Sequence, residues 1–217
     1  MAEEKNIQLL YPGGCFHIYN RGNNREIIFK APENYNYFLS LWKKYIEPVA
    51  QTFCYNLLPD HFHFFIRVRE SILFDEDLKN NVITDGLNKS NILTPGIIAK
   101  RFSNLFNAYA KAINKRYNRT GSLFQERFRR KEIINIHYYS SLIAYIVANA
   151  VKHGLVKKAD EYPYGAYHTL VSERPTLLLR NEVIEWFGGK QRFIDYIHSY
   201  GFESSDRKLF LETEFDD

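Results

Sequence analysis

The chain has 217 residues, 45% of them hydrophobic, which is enough to bury a core in one domain with extensions or in two small ones. Its 29 Lys or Arg against 25 Asp or Glu leave a net charge of +4, a weak pull toward anionic partners. No stretch approaches the roughly 18 apolar residues of a membrane span, and MAEEKNIQLL lacks the basic-then-apolar order of a secretory signal, so a cytoplasmic protein without a membrane segment is expected. Cys15 and Cys54 are too few for a disulfide framework and lack zinc-site spacing; both read as buried thiols.

In chain order, CFHIYNRGNNREIIF predicts two short strands around an Arg-Gly-Asn-Asn turn, because Gly and Asn tolerate positive φ while the flanking residues suit a pleat. Tyr37, Phe38, Leu41, Trp42, Tyr45 and Ile46 recur at helical spacing between Pro32 and Pro48 and predict the first helix. TFCYNLLP and HFHFFIRV, on either side of Pro59-Asp60, predict an antiparallel strand pair. Residues 70 to 95 are polar and aperiodic, an irregular connection. TPGIIAKRFSNLFNAYAKAINKRYN then predicts a long amphipathic helix burying Ile98, Phe102, Leu105, Phe106, Tyr109 and Ile113.

RTGSLFQERFRRKEII reads as a loop passing into a strand, HYYSSLIAYIVANAVKHG as a helix closed by Gly154, and RNEVIEWFG and QRFIDYIHSYG as further helices. From Glu203 on, six acids against Arg207 and Lys208 predict a loose acidic tail. Helices mixed with hairpins give an α+β fold, an antiparallel sheet with helices on one face. Residues 1–170 are expected to form one domain and 171–217 a helical extension.

Three groups of residues bear on chemistry. Positions i and i+2 of a strand share a face, so His61 and His63 present two imidazoles side by side; a metal site and a pair of ordinary hydrogen-bonded histidines are both open. Tyr145 and Asn149 stand one helical turn apart; against the histidine strand they would add a hydroxyl and an amide oxygen, and otherwise they are a core tyrosine and a helix-end residue. Between Lys100 and Lys131, ten Lys or Arg face Glu126 alone, interleaved with Phe102, Phe106, Tyr109, Tyr117, Phe124 and Phe128. That mixture suits a nucleic-acid surface, where cations meet phosphate and rings stack on unpaired bases; its alternative is a solvated face over an aromatic core.

Taken together, HIYNRGNNREIIF, PDHFHFFI, RTGSLFQERFRRK and YIVANAVKHGLV resemble the single-tyrosine HUH transposases, in particular the REP-associated tyrosine transposase branch. His61-Phe62-His63 satisfies the HUH pattern, NAVKHGLV is similar to an Asn-Pro-Val-Lys/Arg-x-Gly segment with Ala150 where proline is usual, and EYPYGAY is similar to an Asp-Tyr-Pro-Trp-Ser-Ser-Tyr segment. The resemblance spans about residues 13 to 170 and implies a ferredoxin-like or RRM-like sheet.

It also implies a mechanism. Tyr145 would be the nucleophile that cleaves single-stranded DNA, leaving a 5′-phosphotyrosine and a free 3′-hydroxyl, with Tyr138 a rival two turns earlier. His61, His63 and Asn149 would hold a divalent metal, Mg²⁺ or Mn²⁺. Lys111, Lys115, Arg116, Arg119, Arg127, Arg129 and Arg130 are the expected DNA contacts, and a stem-loop or palindromic strand the expected partner of a monomer or homodimer. Two other readings stay open: an inactive nucleic-acid-binding relative, and a metal-dependent nuclease in which water attacks.

Overall fold

The structure is a computed structural model that describes residues 8–72, 92–126 and 128–201. Its centre is a four-stranded antiparallel sheet of β1 (Cys15–Arg21), β2 (Ala50–Leu57), β3 (His61–Val68) and β4 (Arg129–Glu132), in the order β2-β3-β1-β4. Helix α1 (Pro32–Tyr45) joins β1 to β2, and α2 (Pro95–Arg116) lies between β3 and β4, so two βαβ crossovers interleave around one β2–β3 hairpin. This is the ferredoxin-like arrangement in an α+β fold.

Both crossover helices start where local chemistry lets them. Pro32 opens α1, and the Asn34 side chain accepts from the backbone N–H groups of Lys30 and Ala31 at 2.9 and 3.0 Å. Thr94 caps α2 by accepting from Ile97 N, with Pro95 at the first helical position. The six residues predicted for the buried stripe of α2 are its buried residues.

Each strand residue of β3 faces one of two cores. Phe62, Phe64 and Ile66 point to α1 and α2, where the Trp42 and Phe64 rings stack with centroids 3.5 Å apart. His61, His63 and Phe65 point the other way, toward α3 (Tyr139–Val147). Helices therefore cover both faces of the sheet, whereas one covered face was expected. The reason is visible in β3, where every residue but Arg67 is buried, so neither face is left for water.

Beyond α3 come the short helix α4 (Asn149–Lys152), then α5 (Tyr167–Val171), α6 (Arg180–Trp186) and α7 (Lys190–Ser199). Val183, Phe193 and Ile197 share the α3 core, and Arg67 of β3 makes a two-pronged contact with Glu182 at 2.9 Å through each nitrogen. Helix α6 thus packs against β2, and α7 against α3 and α6.

One predicted element is missing. Residues 26–29 form no strand: the backbone N–H groups of Ile28 and Phe29 both donate to Pro59 O, and β1 is already flanked by β3 and β4. Most of the irregular connection, at 73–91, and the acidic tail from Glu203 lie outside the described residues.

Candidate active site

A bulge in β2 sets up the site. The register runs Thr52 opposite Ile66 and then Cys54 opposite Phe65, so Phe53 is an extra residue. In a regular strand running through Phe53, Thr52, Cys54 and Asn56 would share the α1 face; the bulge turns Cys54 and Asn56 to the histidine face. Asn56 pairs with His63 across the ladder and is fully buried. Its amide Nδ2 donates to Ile146 O at 2.9 Å and Val147 O at 3.2 Å.

Those carbonyls are the ones the next helical turn would bond, and the helix indeed breaks there. Ala148 has φ −85° and ψ 1°, and Val151 N donates to Ala148 O instead. The single helix predicted over this stretch is therefore two, α3 and α4, pinned at their junction to β2. Gly165 backs the same amide: a Cβ on it would lie 3.3 Å from Asn56 Oδ1.

The break leaves Tyr145 and Asn149 facing β3. Asn149 Oδ1 lies 3.5 Å from His61 Nε2, and the Tyr145 ring meets the His63 ring edge-on, with centroids 5.9 Å apart. The rings of His61 and His63 are 5.2 Å apart. One chain therefore assembles all four predicted residues, and each is at most 1% exposed. Tyr138, the rival, sits at the start of α3 with 41% exposure.

Six residues around this group were not singled out from sequence. Asp60, read as a turn residue, accepts at 2.6 Å from His61 Nδ1 and at 2.9 Å from Arg21 Nε. Burial works against its charge, but His61 and Arg21 prevail and hold the carboxyl well below the usual carboxylate range. Gly22, next to Arg21, is required because a Cβ there would fall 2.0 Å from Glu26 O. His17 of β1 brings Nε2 within 3.0 Å of His63 Nδ1. Lys152 of α4 donates to the Tyr145 hydroxyl at 3.3 Å, and the His153 ring lies 4.8 Å from that of His61. The signal for His17 and Asn56 was in the sequence: each is a polar residue set between two apolar or aromatic residues of a strand.

The donor set suits a divalent metal. His63 is held far below the ordinary imidazole value, first by burial and then by the nearby His17, His61, His153 and Lys152, so it stays neutral as a ligand must. Each histidine has its Nδ1 engaged by a neighbour, and the Asn149 amide Nδ2 is buried with no hydrogen-bond partner. Among the described residues no group of three or more His, Cys, Asp and Glu is arranged to hold a metal.

The expected DNA contacts divide. Paired residues in an antiparallel ladder share a face, so Arg129, opposite Tyr19, lies on the histidine side of the sheet together with Lys131, opposite His17. Arg130, opposite Ile18, faces α2. With Lys111 it lines a groove of about 510 Å³ that also exposes Phe128 and Asn114. Lys115 and Arg116 are exposed at the end of α2, Arg119 is engaged by Glu26 and Asn114, and Arg127 lies outside the described residues.

No protein-family model and no curated protein sequence matches the chain. Its backbone superposes on the solved structure of a REP-associated tyrosine transposase bound to a REP hairpin, with a TM-score of 0.55 over 81% of this chain and 89% of that one. The fold is that of a REP-associated tyrosine transposase. At 17% identity, the likeness to that transposase is one of backbone arrangement. Among the described residues no helix is long and apolar enough to cross a membrane.

Proposed function

We propose that the protein is a transposase of the single-tyrosine HUH type, which cuts and rejoins single-stranded, hairpin-forming DNA through Tyr145. The observation that carries this reading is the meeting of Tyr145 and Asn149 with His63 and His61 inside one chain, on the fold of a hairpin-binding transposase.

In this reading the Tyr145 hydroxyl attacks the scissile phosphorus, the bond to the 3′-oxygen breaks, and that oxygen leaves as a 3′-hydroxyl carrying the phenolic proton. The phosphotyrosine linkage keeps the bond energy, so a second 3′-hydroxyl reverses the step without ATP. His61, His63 and Asn149 would hold Mg²⁺ or Mn²⁺, which supplies Lewis-acid polarisation of the phosphate when bound. Arg21, through Asp60, fixes the His61 ring, and His17 fixes His63. Arg129, Lys111, Lys115, Arg116 and Arg130 meet the phosphate backbone, and the unpaired strand beside a stem reaches the histidine face.

The test is covalent trapping. Incubation with a labelled hairpin oligonucleotide bearing a single-stranded flank and Mn²⁺ gives an adduct that survives SDS, and Tyr145→Phe abolishes it. An adduct that persists in Tyr145→Phe and vanishes in Tyr138→Phe moves the nucleophile. Cleavage without any adduct favours a water-attacking nuclease, and binding without cleavage an inactive relative.

A further inference from the structure

The groove beside α2 has two walls, and the fold ties them together. One is a stripe of α2 with Ser103, Asn107, Lys111 and Asn114, spaced three or four residues apart and so on one face of the helix. The other is the loop from Gly121 to Gln125. Asn114 Nδ2 donates to Gly121 O at 2.9 Å, and Arg119 donates to the oxygen of the same amide. The loop is also fixed at the end of β1, where Asn23 N donates to Leu123 O and Gln125 N to Arg21 O, each at 2.9 Å. The opening between the walls is therefore formed before any ligand enters it.

Its lining mixes three chemistries. Phe106, Phe124 and Phe128 are the apolar part, with Phe128 half-buried and stacked on Phe102 at 4.8 Å between centroids. Asn107 and Gln125, one from each wall, supply amide side chains that carry both donors and an acceptor. Lys111 and Arg130 put two cations in the lining against Glu126 alone. A nucleobase has apolar faces and a polar edge, and its phosphate is an anion, so a nucleotide matches all three. The groove, at about 510 Å³, also falls within the range of about 300 to 1,000 Å³ usual for sites that take molecules of that size. The wider charge agrees: ten Lys or Arg against one acid between Lys100 and Lys131 complement a polyanion.

From these observations we infer that the groove is a base-selective subsite. It takes one unpaired nucleobase of the bound DNA strand against Phe128, with the amides of Asn107 and Gln125 on the polar edge of the base and Lys111 on its phosphate. Strand β4 is an edge of the sheet, and Arg129 and Arg130 point to its opposite faces, so the groove lies across that edge from His61 and His63. A strand held there rounds the edge to reach Tyr145, which separates the choice of base from the breaking of the bond. The inference rests on the reading of hairpin-forming DNA as the partner, and not on which residue attacks it.

The experiment measures binding of the full-length protein to a hairpin oligonucleotide with single-stranded flanks, by fluorescence anisotropy without divalent metal so that no strand is cut. In a set of such oligonucleotides, each unpaired position in turn is made abasic. One position, or two adjacent ones, should lose affinity by about 10-fold, the scale of one stacked base. The same abasic site should cost the Asn107→Ala/Gln125→Ala protein several-fold less, because two losses within one contact do not add. Lys111→Ala should keep the full abasic penalty and lower the slope of log affinity against log salt by about 0.7. Asn107 and Lys111 are exposed and Gln125 is half-buried, so these substitutions leave the core untouched. An even profile with no sensitive position, or a penalty unchanged in the Asn107→Ala/Gln125→Ala protein, overturns the inference. Failure to bind any hairpin overturns it together with the DNA reading, whereas a sensitive position in a protein that forms no covalent adduct upholds it and sinks only the phosphotyrosine step.

Discussion

Asp60 Oδ1 stands 2.6 Å from His61 Nδ1, while its other oxygen takes the Arg21 guanidinium at 2.9 Å. The carboxylate thereby sets which His61 nitrogen faces Asn149. Asp60→Asn should weaken Mn²⁺ binding by about 10- to 100-fold, as loss of an outer partner of a metal-bound histidine does. Calorimetric titration of the DNA-free protein measures it, and an unchanged affinity would remove Asp60 from the site.

Asn56 joins β2 to the end of α3 through one amide and two carbonyls. Asn56→Ala leaves both carbonyls buried without that donor and should cost about 1 to 3 kcal/mol. Urea unfolding should show a lower midpoint at an unchanged slope. An intact midpoint would mean that the helix end finds another donor.

Because Tyr145 and Asn149 reach the histidines of their own chain, inactive chains should not complement one another. A mixture of Tyr145→Phe and His61→Ala proteins is expected to form no adduct at any ratio. Recovery of activity in the mixture would point to exchange of α3 between two copies.

Arg129 and Lys131 lie on the histidine face by their register in β4. Replacing both by Ala should lower the slope of log affinity against log salt by about 1.4, at roughly 0.7 per phosphate contact on a single strand. Binding measured by fluorescence anisotropy across a salt series reports it. An unaltered slope would direct the DNA toward α2 instead.

Glu47 offers a pH test away from the site. Burial pushes its carboxyl above the usual value, more than the Thr52 hydroxyl, Arg69 and Lys43 pull it down. The folded state therefore holds the proton to higher pH than the unfolded chain, and stability drops as pH rises through the interval just above 4.5. Glu47→Gln should flatten that decline, so that its stability relative to the unsubstituted protein improves from pH 4 to pH 7. Parallel curves for the two proteins would contradict this.

The parts readable from sequence were those fixed by short-range periodicity. The α2 stripe, the β2–β3 hairpin and the same-face placement of His61 and His63 follow from spacings of two to four residues. The Tyr145–Asn149 relation was legible as one turn, but the break at Ala148 was not, because its cause is an amide about ninety residues earlier in the chain. The absent strand at residues 26–29 failed for a similar reason: its backbone donors are taken by Pro59 O. Asp60 looked like a turn residue because Pro59-Asp60 is a turn, and nothing local says that its carboxylate also serves His61.

The Phe53 bulge gives β2 two incompatible parities, one on each side of a single residue. Point substitutions along β2 leave that count untouched, and deleting Phe53 removes the bulge but keeps Asn56 opposite His63, because Thr52 and Cys54 already face neighbouring residues of β3. Deleting Tyr55 instead would bring Asn56 opposite Phe64, beneath α1, and the α3 end would lose its anchor while every residue named in the site was still present. An inventory of site residues alone would score such a chain as intact, and the count of residues between Cys54 and Asn56 would reveal that it is not.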